Sequence, residues 1–163
     1  MKIDDQDKAW VFSPGRLPVQ DGWDTTIDSS LYLHSGSFVC PYGQGSSASY
    51  TFIGASGIVL NGYIWPDGRA FSVTLDGVVH NMDATSHWRD NSTIFFAAGN
   101  LDPGVLHKLT ISDYNSDKAN CTRVDEFGQP VLRYCCLGLD SLTLLQAAVT
   151  VKYVRRVLLA DQF

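Results

Sequence analysis

Gly57-Ile58-Val59-Leu60-Asn61-Gly62-Tyr63-Ile64-Trp65-Pro66-Asp67-Gly68-Arg69-Ala70-Phe71-Ser72-Val73-Thr74-Leu75-Asp76-Gly77 reads as strand, turn, strand, turn. In the second half, Phe71, Val73 and Leu75 fall on one side and Ser72 and Thr74 on the other. That period of two is the mark of a half-buried strand. In the first half, Ile58, Leu60 and Ile64 share one face and Val59, Tyr63 and Trp65 the other. Pro66-Asp67-Gly68 predicts a hairpin joining the two runs. Asp76-Gly77 predicts a tight turn, because glycine accepts the positive φ such turns need. That turn sets the register of a following strand over Val78 to Met82.

The same grammar extends outward. Ser49 to Gly54 alternates, with Tyr50 and Phe52 opposed to Ser49 and Thr51, and it predicts an inner face for the two rings. Thr93 to Ala97 is a short apolar run, and Val105, His107, Leu109 and Ile111 share a side. Pro14-Gly15, Asn61-Gly62 and Asp102-Pro103-Gly104 add further turn chemistry. Turns recurring every 8–12 residues or so point to a sandwich or barrel. Leu137 to Leu145 reads as a strand, and Leu144 to Leu159 fits a strand pair or an amphipathic helix. The expectation is an all-β protein of two antiparallel sheets, one domain over residues 1–163, with a C-terminal extension over 146–163.

Composition narrows the class. The 163 residues suit one core, and 45% hydrophobic against 18% charged residues permit a packed one. The formal charge of -5 lacks the basic footprint of a nucleic-acid binder. Lys152, Arg155 and Arg156 form the one basic cluster and read as a solvated terminal segment. No apolar run is long enough to span a bilayer.

The start, Met1-Lys2-Ile3-Asp4-Asp5, is polar and acidic and is no signal peptide. Two features nonetheless predict a secreted, mature domain. Asn91-Ser92-Thr93 and Asn120-Cys121-Thr122 are glycosylation sequons, expected in exposed loops. Cys40, Cys121, Cys135 and Cys136 form an even set, expected as two disulfides. Cys135 and Cys136 are neighbours, and a bond between neighbours is strained. Each therefore pairs elsewhere, and of the connectivities that four cysteines allow, the predicted one is Cys121–Cys135, closing the long loop, with Cys40–Cys136, tying the early segment to the last strand. A closed loop of roughly 15 residues stabilises by about 3 kcal/mol in the chain-entropy model.

Gly45-Ser46-Ser47-Ala48-Ser49-Tyr50-Thr51-Phe52-Ile53-Gly54, Gly57 to Gly62, Phe71 to Gly77, Leu101 to Ile111 and Leu137-Gly138-Leu139-Asp140-Ser141-Leu142 together form an outline. It runs Y-x-F-x-G, a strand ending in G, a strand ending in DG, L-x-x-G-x-x-H-x-L-x-I, then L-D-x-L. This resembles the galactose-binding-like jelly-roll domains, particularly those of secreted and cell-surface fungal proteins, over about residues 28–145. The resemblance implies a jelly-roll β-sandwich and a binding role, and it carries no catalytic motif. It also implies a structural calcium at the sandwich edge, with Asp140 as the carried-over ligand and Asp28 as its partner. The other reading of Asp140 is a turn cap. This chain departs from the outline between Asp113 and Cys136, which is long and holds three of the cysteines, and after Leu145.

Catalytic motifs are sparse. Gly54-Ala55-Ser56-Gly57 lacks the spacing of a nucleophile elbow, and neither H-E-x-x-H nor C-x-x-C occurs. Gly43-Gln44-Gly45 has no following lysine and is no phosphate loop. His80 and His87 read as surface histidines, and His107 as a hydrogen-bonded histidine at the core. Asp24, Asp28, Asp83 and Asp90 offer carboxylates for glycoside hydrolysis, with no pair singled out.

Trp23, Tyr42, Trp65 and Trp88 look like exposed loop aromatics. Flat rings stack on the apolar faces of sugars, while Asp, Asn and Arg bond the hydroxyls. Ser86-His87-Trp88-Arg89-Asp90-Asn91 combines both. The expected ligand site is Tyr42, Trp65, Trp88, Arg89 and Asp90, on three loops over 38–47, 65–69 and 83–92. The predicted function is a non-catalytic extracellular module that binds carbohydrate. The alternatives are a surface ectodomain that binds another protein and, third, a glycoside-active enzyme.

Overall fold

Asp76 and Gly77 take φ values of 50° and 85°, and Leu75 pairs directly with Val78 across them. Such two-residue turns match the right-handed twist of the strands they join. They connect Ala70–Leu75 to Val78–Asp83, as the Asp-Gly dipeptide predicts. In this computed structural model the described residues are 1–19, 22–27, 36–39, 45–64, 68, 70–87, 90–113, 122–124, 127, 130–132 and 136–146. Every helix-or-strand element among them is a strand, and none is a helix that could cross a membrane.

The strands are β1 (Lys2–Asp4), β2 (Val11–Ser13), β3 (Asp24–Ile27), β4 (Gly36–Val39), β5 (Ser47–Phe52), β6 (Gly57–Ile64) and β7 (Ala70–Leu75). They continue as β8 (Val78–Asp83), β9 (Asp90–Gly99), β10 (His107–Asp113), β11 (Thr122–Val124), β12 (Pro130–Leu132) and β13 (Leu137–Leu145). One sheet has the order β3-β4-β13-β6-β9, with β1 also on β13. The second has the order β2-β5-β10-β7-β8, and β11 and β12 form a small hairpin of their own. All pairings are antiparallel. The expected jelly-roll β-sandwich of two antiparallel sheets is the observed class.

Alternation decides which side chains the sheets enclose. Tyr50 and Phe52 of β5, Phe71, Val73 and Leu75 of β7, and Leu109 and Ile111 of β10 line the second sheet's inner face. Ile58 and Leu60 of β6 and Leu137, Leu139, Leu142 and Leu144 of β13 answer them from the first. Phe71 meets Phe95 of β9 with ring centroids 4.6 Å apart, which joins the two layers directly. Each fully buried Leu or Phe stabilises the fold by about 1.5–3 kcal/mol. The core also takes in Ile3, Trp10 and Trp23, so strands ahead of residue 28 belong to the sandwich.

Two readings change. The two runs that Pro66-Asp67-Gly68 separates are not hairpin partners: β6 lies in the first sheet and β7 in the second. The partners of β6 are β13 and β9, and those of β7 are β10 and β8. Turn chemistry is the same for a hairpin and for a corner between sheets, and only long-range pairing separates them. The simple two-face reading of β6 also fails. Its register against β9 slips between Leu60 and Asn61 and again between Gly62 and Ile64. A bulge resets the alternation, and Tyr63 ends fully buried.

Candidate functional site

The first step in building the site is to find where the three loops are anchored. Val39 at the end of β4 pairs with Leu137 at the start of β13. Ile64 at the end of β6 pairs with Asp90 at the start of β9. Ala70 at the start of β7 pairs with Asp83 at the end of β8. Ser47 at the start of β5 pairs with Ser112 near the end of β10. Strand polarity therefore puts the flanks of the 38–47, 65–69 and 83–92 loops at one end of the sandwich.

Gly68 ties these flanks together. It forms a parallel bridge with Cys136, and its carbonyl accepts the Thr85 hydroxyl at 3.1 Å. A Cβ at Gly68 would collide with the Ala84 carbonyl, so only glycine permits this close approach. Thr85 is oriented by its own backbone N–H, which donates to Asp83 Oδ1 at 2.8 Å.

Of the predicted ligand residues, Asp90 is an exposed first residue of β9, beside the β6 terminus. Tyr42, Trp65, Trp88 and Arg89 lie outside the described residues, as do Asp28, Cys40, Cys121, Cys135 and Asn120. Cys136 is disulfide-bonded. Which cysteine it joins lies outside the described residues.

Trp23 is a correction. It is fully buried and packs on Phe12 at 5.2 Å between centroids, so it is core rather than a loop ring. Its Nε1 has no hydrogen-bond partner. Trp10, unremarked in the sequence, is likewise buried, edge-on to Tyr50 at 5.1 Å, with its Nε1 donating to the Asp4 carbonyl. A tryptophan in a turn-rich stretch carries no sign of which way it points.

Asn91 is a second correction in place. It is the second residue of the edge strand β9, not a loop residue. Two residues on, the Thr93 Oγ1 is buried without a partner. The run of polar residues before Ile94 reads as loop, but it pairs with β6 through Asp90 and Thr93.

Asp140 is fully buried in the middle of β13, at the point where that strand slips register against β6. It is not a turn cap. Bulges re-aim side chains, and here the carboxylate accepts from the Ser141 hydroxyl at 3.0 Å and the Tyr63 hydroxyl at 3.5 Å, with Lys2 Nζ at 4.0 Å. Asp5, which no motif flagged, is fully buried on the neighbouring chain. Its backbone N–H donates to the Asp140 carbonyl at 3.1 Å, and its carboxylate accepts from Ser37 and Gln6, each at 2.6 Å. Among the described residues no three His, Cys, Asp or Glu side chains gather as a metal site.

Two of the carboxylates considered for hydrolysis, Asp24 and Asp83, bond residues two further along the chain. Asp24 Oδ1 accepts from Thr26 N and Oγ1, and Asp83 from Thr85 N. His80 is exposed on β8 with its ring 4.9 Å from that of Phe96, and His87 is exposed.

No known family model matches the chain, and no curated protein matches it in sequence. Among solved structures it is similar to CsCBM6-3 from Clostridium stercorarium, determined in complex with cellobiose. The two share 10% identity over 90% of this chain and 94% of that one, with a TM-score of 0.46.

Proposed function

We propose that this protein is a non-catalytic, secreted binding module of galactose-binding-like type that takes a glycan at the end where the 38–47, 65–69 and 83–92 loops are anchored. The observation that carries the reading is the convergence of the flanks through Gly68, Cys136, Thr85 and the Ile64–Asp90 pair. In this reading Tyr42, Trp65, Trp88, Arg89 and Asp90 share one ligand. Rings there stack on sugar faces and the charged rim bonds hydroxyls. Affinity in the mM to μM range is expected, about −4 to −8 kcal/mol. A glycan array tests it: binding to a defined glycan class supports the proposal, and a blank array removes it.

Secretion is part of the same proposal, with glycans on Asn91 and Asn120 and disulfides Cys40–Cys136 and Cys121–Cys135. The pairing of Leu137 with Val39, which are the sequence neighbours of Cys136 and Cys40, supports the first disulfide. A structural calcium on Asp140 and Asp28 is proposed too. Its support is the meeting of two buried acidic residues, Asp5 and Asp140, whose carboxylate oxygens are the ligand type a hard cation takes. Chelation should lower Tm and added calcium restore it. An unchanged Tm leaves Asp140 held by Tyr63, Ser141 and Lys2.

One observation favours the second reading, a protein partner. β8 is an edge strand on which Val78 and Val79 are each 60% exposed. Edge strands present unpaired backbone groups that a partner strand can extend.

A further inference from the structure

The far end of the sandwich holds a buried histidine with both ring nitrogens engaged. His107, the first residue of β10, is 6% exposed. Its Nδ1 lies 2.6 Å from Asp76 Oδ2, in the β7–β8 turn. Its Nε2 lies 2.9 Å from the Asp102 carbonyl, in the β9–β10 loop. Both partners are acceptors. A neutral imidazole has one N–H and can satisfy one of them; only an imidazolium donates to both.

The surroundings are tied to the same two segments. Asp76 Oδ1 accepts the Lys108 backbone N–H at 2.8 Å, and Asp76 N donates to the Lys108 carbonyl at 3.0 Å. The Asp102 carbonyl also accepts Val105 N at 3.1 Å, and Asp102 Oδ1 accepts Gly104 N at 2.8 Å. Leu101 N and Gly54 N then link the loop to the β5–β6 connection through Ser56 and Pro103. From β5, His107 faces the Phe52 ring at 5.4 Å. The charged groups around the imidazole are thus Asp76 from the turn, Asp102 from the loop and Lys108 from its own strand, whose exposed side chain follows it on the opposite face.

We propose that His107 is a proton-operated latch: as an imidazolium it fastens the β9–β10 loop to the β7–β8 turn, and on losing its proton it must let go of one of them. The segment released carries Val105 and Leu106, which are 48% and 64% exposed, and Leu101, which packs on the core.

The pH window follows from the two partners. The bond to Asp76, and then the Asp102 carbonyl, raise the His107 pKa above its ordinary 6.5. A raised pKa means the latch is complete below pH 6.5 and is lost as pH rises through the raised value. The bond from His107, and then the Lys108 N–H, lower the Asp76 pKa below its ordinary 3.8. That contribution is complete above pH 3.8 and is lost as pH falls through the lowered value. The latch is therefore fully closed between pH 3.8 and 6.5 and opens as pH rises through the raised His107 value.

Ring-nitrogen NMR of the intact protein tests this. The expected result is a His107 ring protonated at both nitrogens at pH 6, with a titration midpoint above the ordinary 6.5. Asp76→Asn should lower that midpoint. Amide exchange at Leu101 and Val105, corrected for its intrinsic pH dependence, should speed up through the same midpoint, by about tenfold per unit of raised pKa. His107→Gln assigns the resonance, and if it fails to fold, the shift caused by Asp76→Asn assigns it instead. A ring neutral at pH 6, a midpoint indifferent to Asp76→Asn, or amide exchange indifferent to the titration would each overturn the proposal.

Discussion

The two ends of this sandwich are built differently. At the end carrying Asp76, Asp102 and His107, the polar groups of the connections meet each other: one turn of two residues, and one loop laced by bonds at Leu101, Val105 and Gly104. At the other end, the flanks of the connections after β4, β6 and β8 are tied through a few backbone points, of which Gly68 is the hub. That difference is in keeping with the division of labour proposed above, because binding residues concentrate on loops held by a rigid scaffold.

Substitutions should separate the ends. The largest effect is expected from Cys136→Ser. Loss of one disulfide costs about 2–4 kcal/mol, and it frees the strand start that carries the Gly68 bridge, so Tm and glycan binding should fall together. Peptide mapping without reductant checks the premise; a free thiol at Cys136 in the secreted protein would break it. Next comes Gly68→Val. A Cβ driven into the Ala84 carbonyl should cost about 1–3 kcal/mol, as overpacking does, and should weaken binding beyond that loss. If Tm falls and binding survives, the hub is structural only.

At the opposite end, Asp76→Asn should cost about 1 kcal/mol by denaturant titration near pH 5, since the group is partly exposed and its charge-assisted bonds are discounted accordingly. The cost should shrink above the His107 midpoint, and glycan binding should be unchanged. A change in binding would mean that the two ends communicate. The smallest stability effect is expected from Trp88→Ala, within about 0.5 kcal/mol, as for surface positions generally. It should nonetheless remove most glycan binding. If it unfolds the domain, the ring is core, as Trp23 is; if the array pattern is untouched, the site lies elsewhere.

What could be read in advance depended on the range of the interaction concerned. Asp76-Gly77 was legible because a two-residue turn is decided by its own φ values. The inward rows of β5, β7 and β10 were legible because alternation is a property of each strand alone. His107 was legible as a bonded histidine but not as a doubly bonded one, because Asp76 is 31 residues away. The roots of the candidate site could only be hoped to converge, since no local pattern tells which strands share an end.

Local chemistry by itself determined that this chain is all-β, where its tight turns fall and which side chains form the inner rows, because each depends on neighbours in sequence. Tertiary pairing alone decided that β6 and β7 belong to different sheets, that Trp10 and Trp23 are buried, that Asn91 sits in a strand, and that Asp5 and Asp140 meet in the interior. Each of these is set by which distant strand arrives alongside, and residue spacing does not encode that choice.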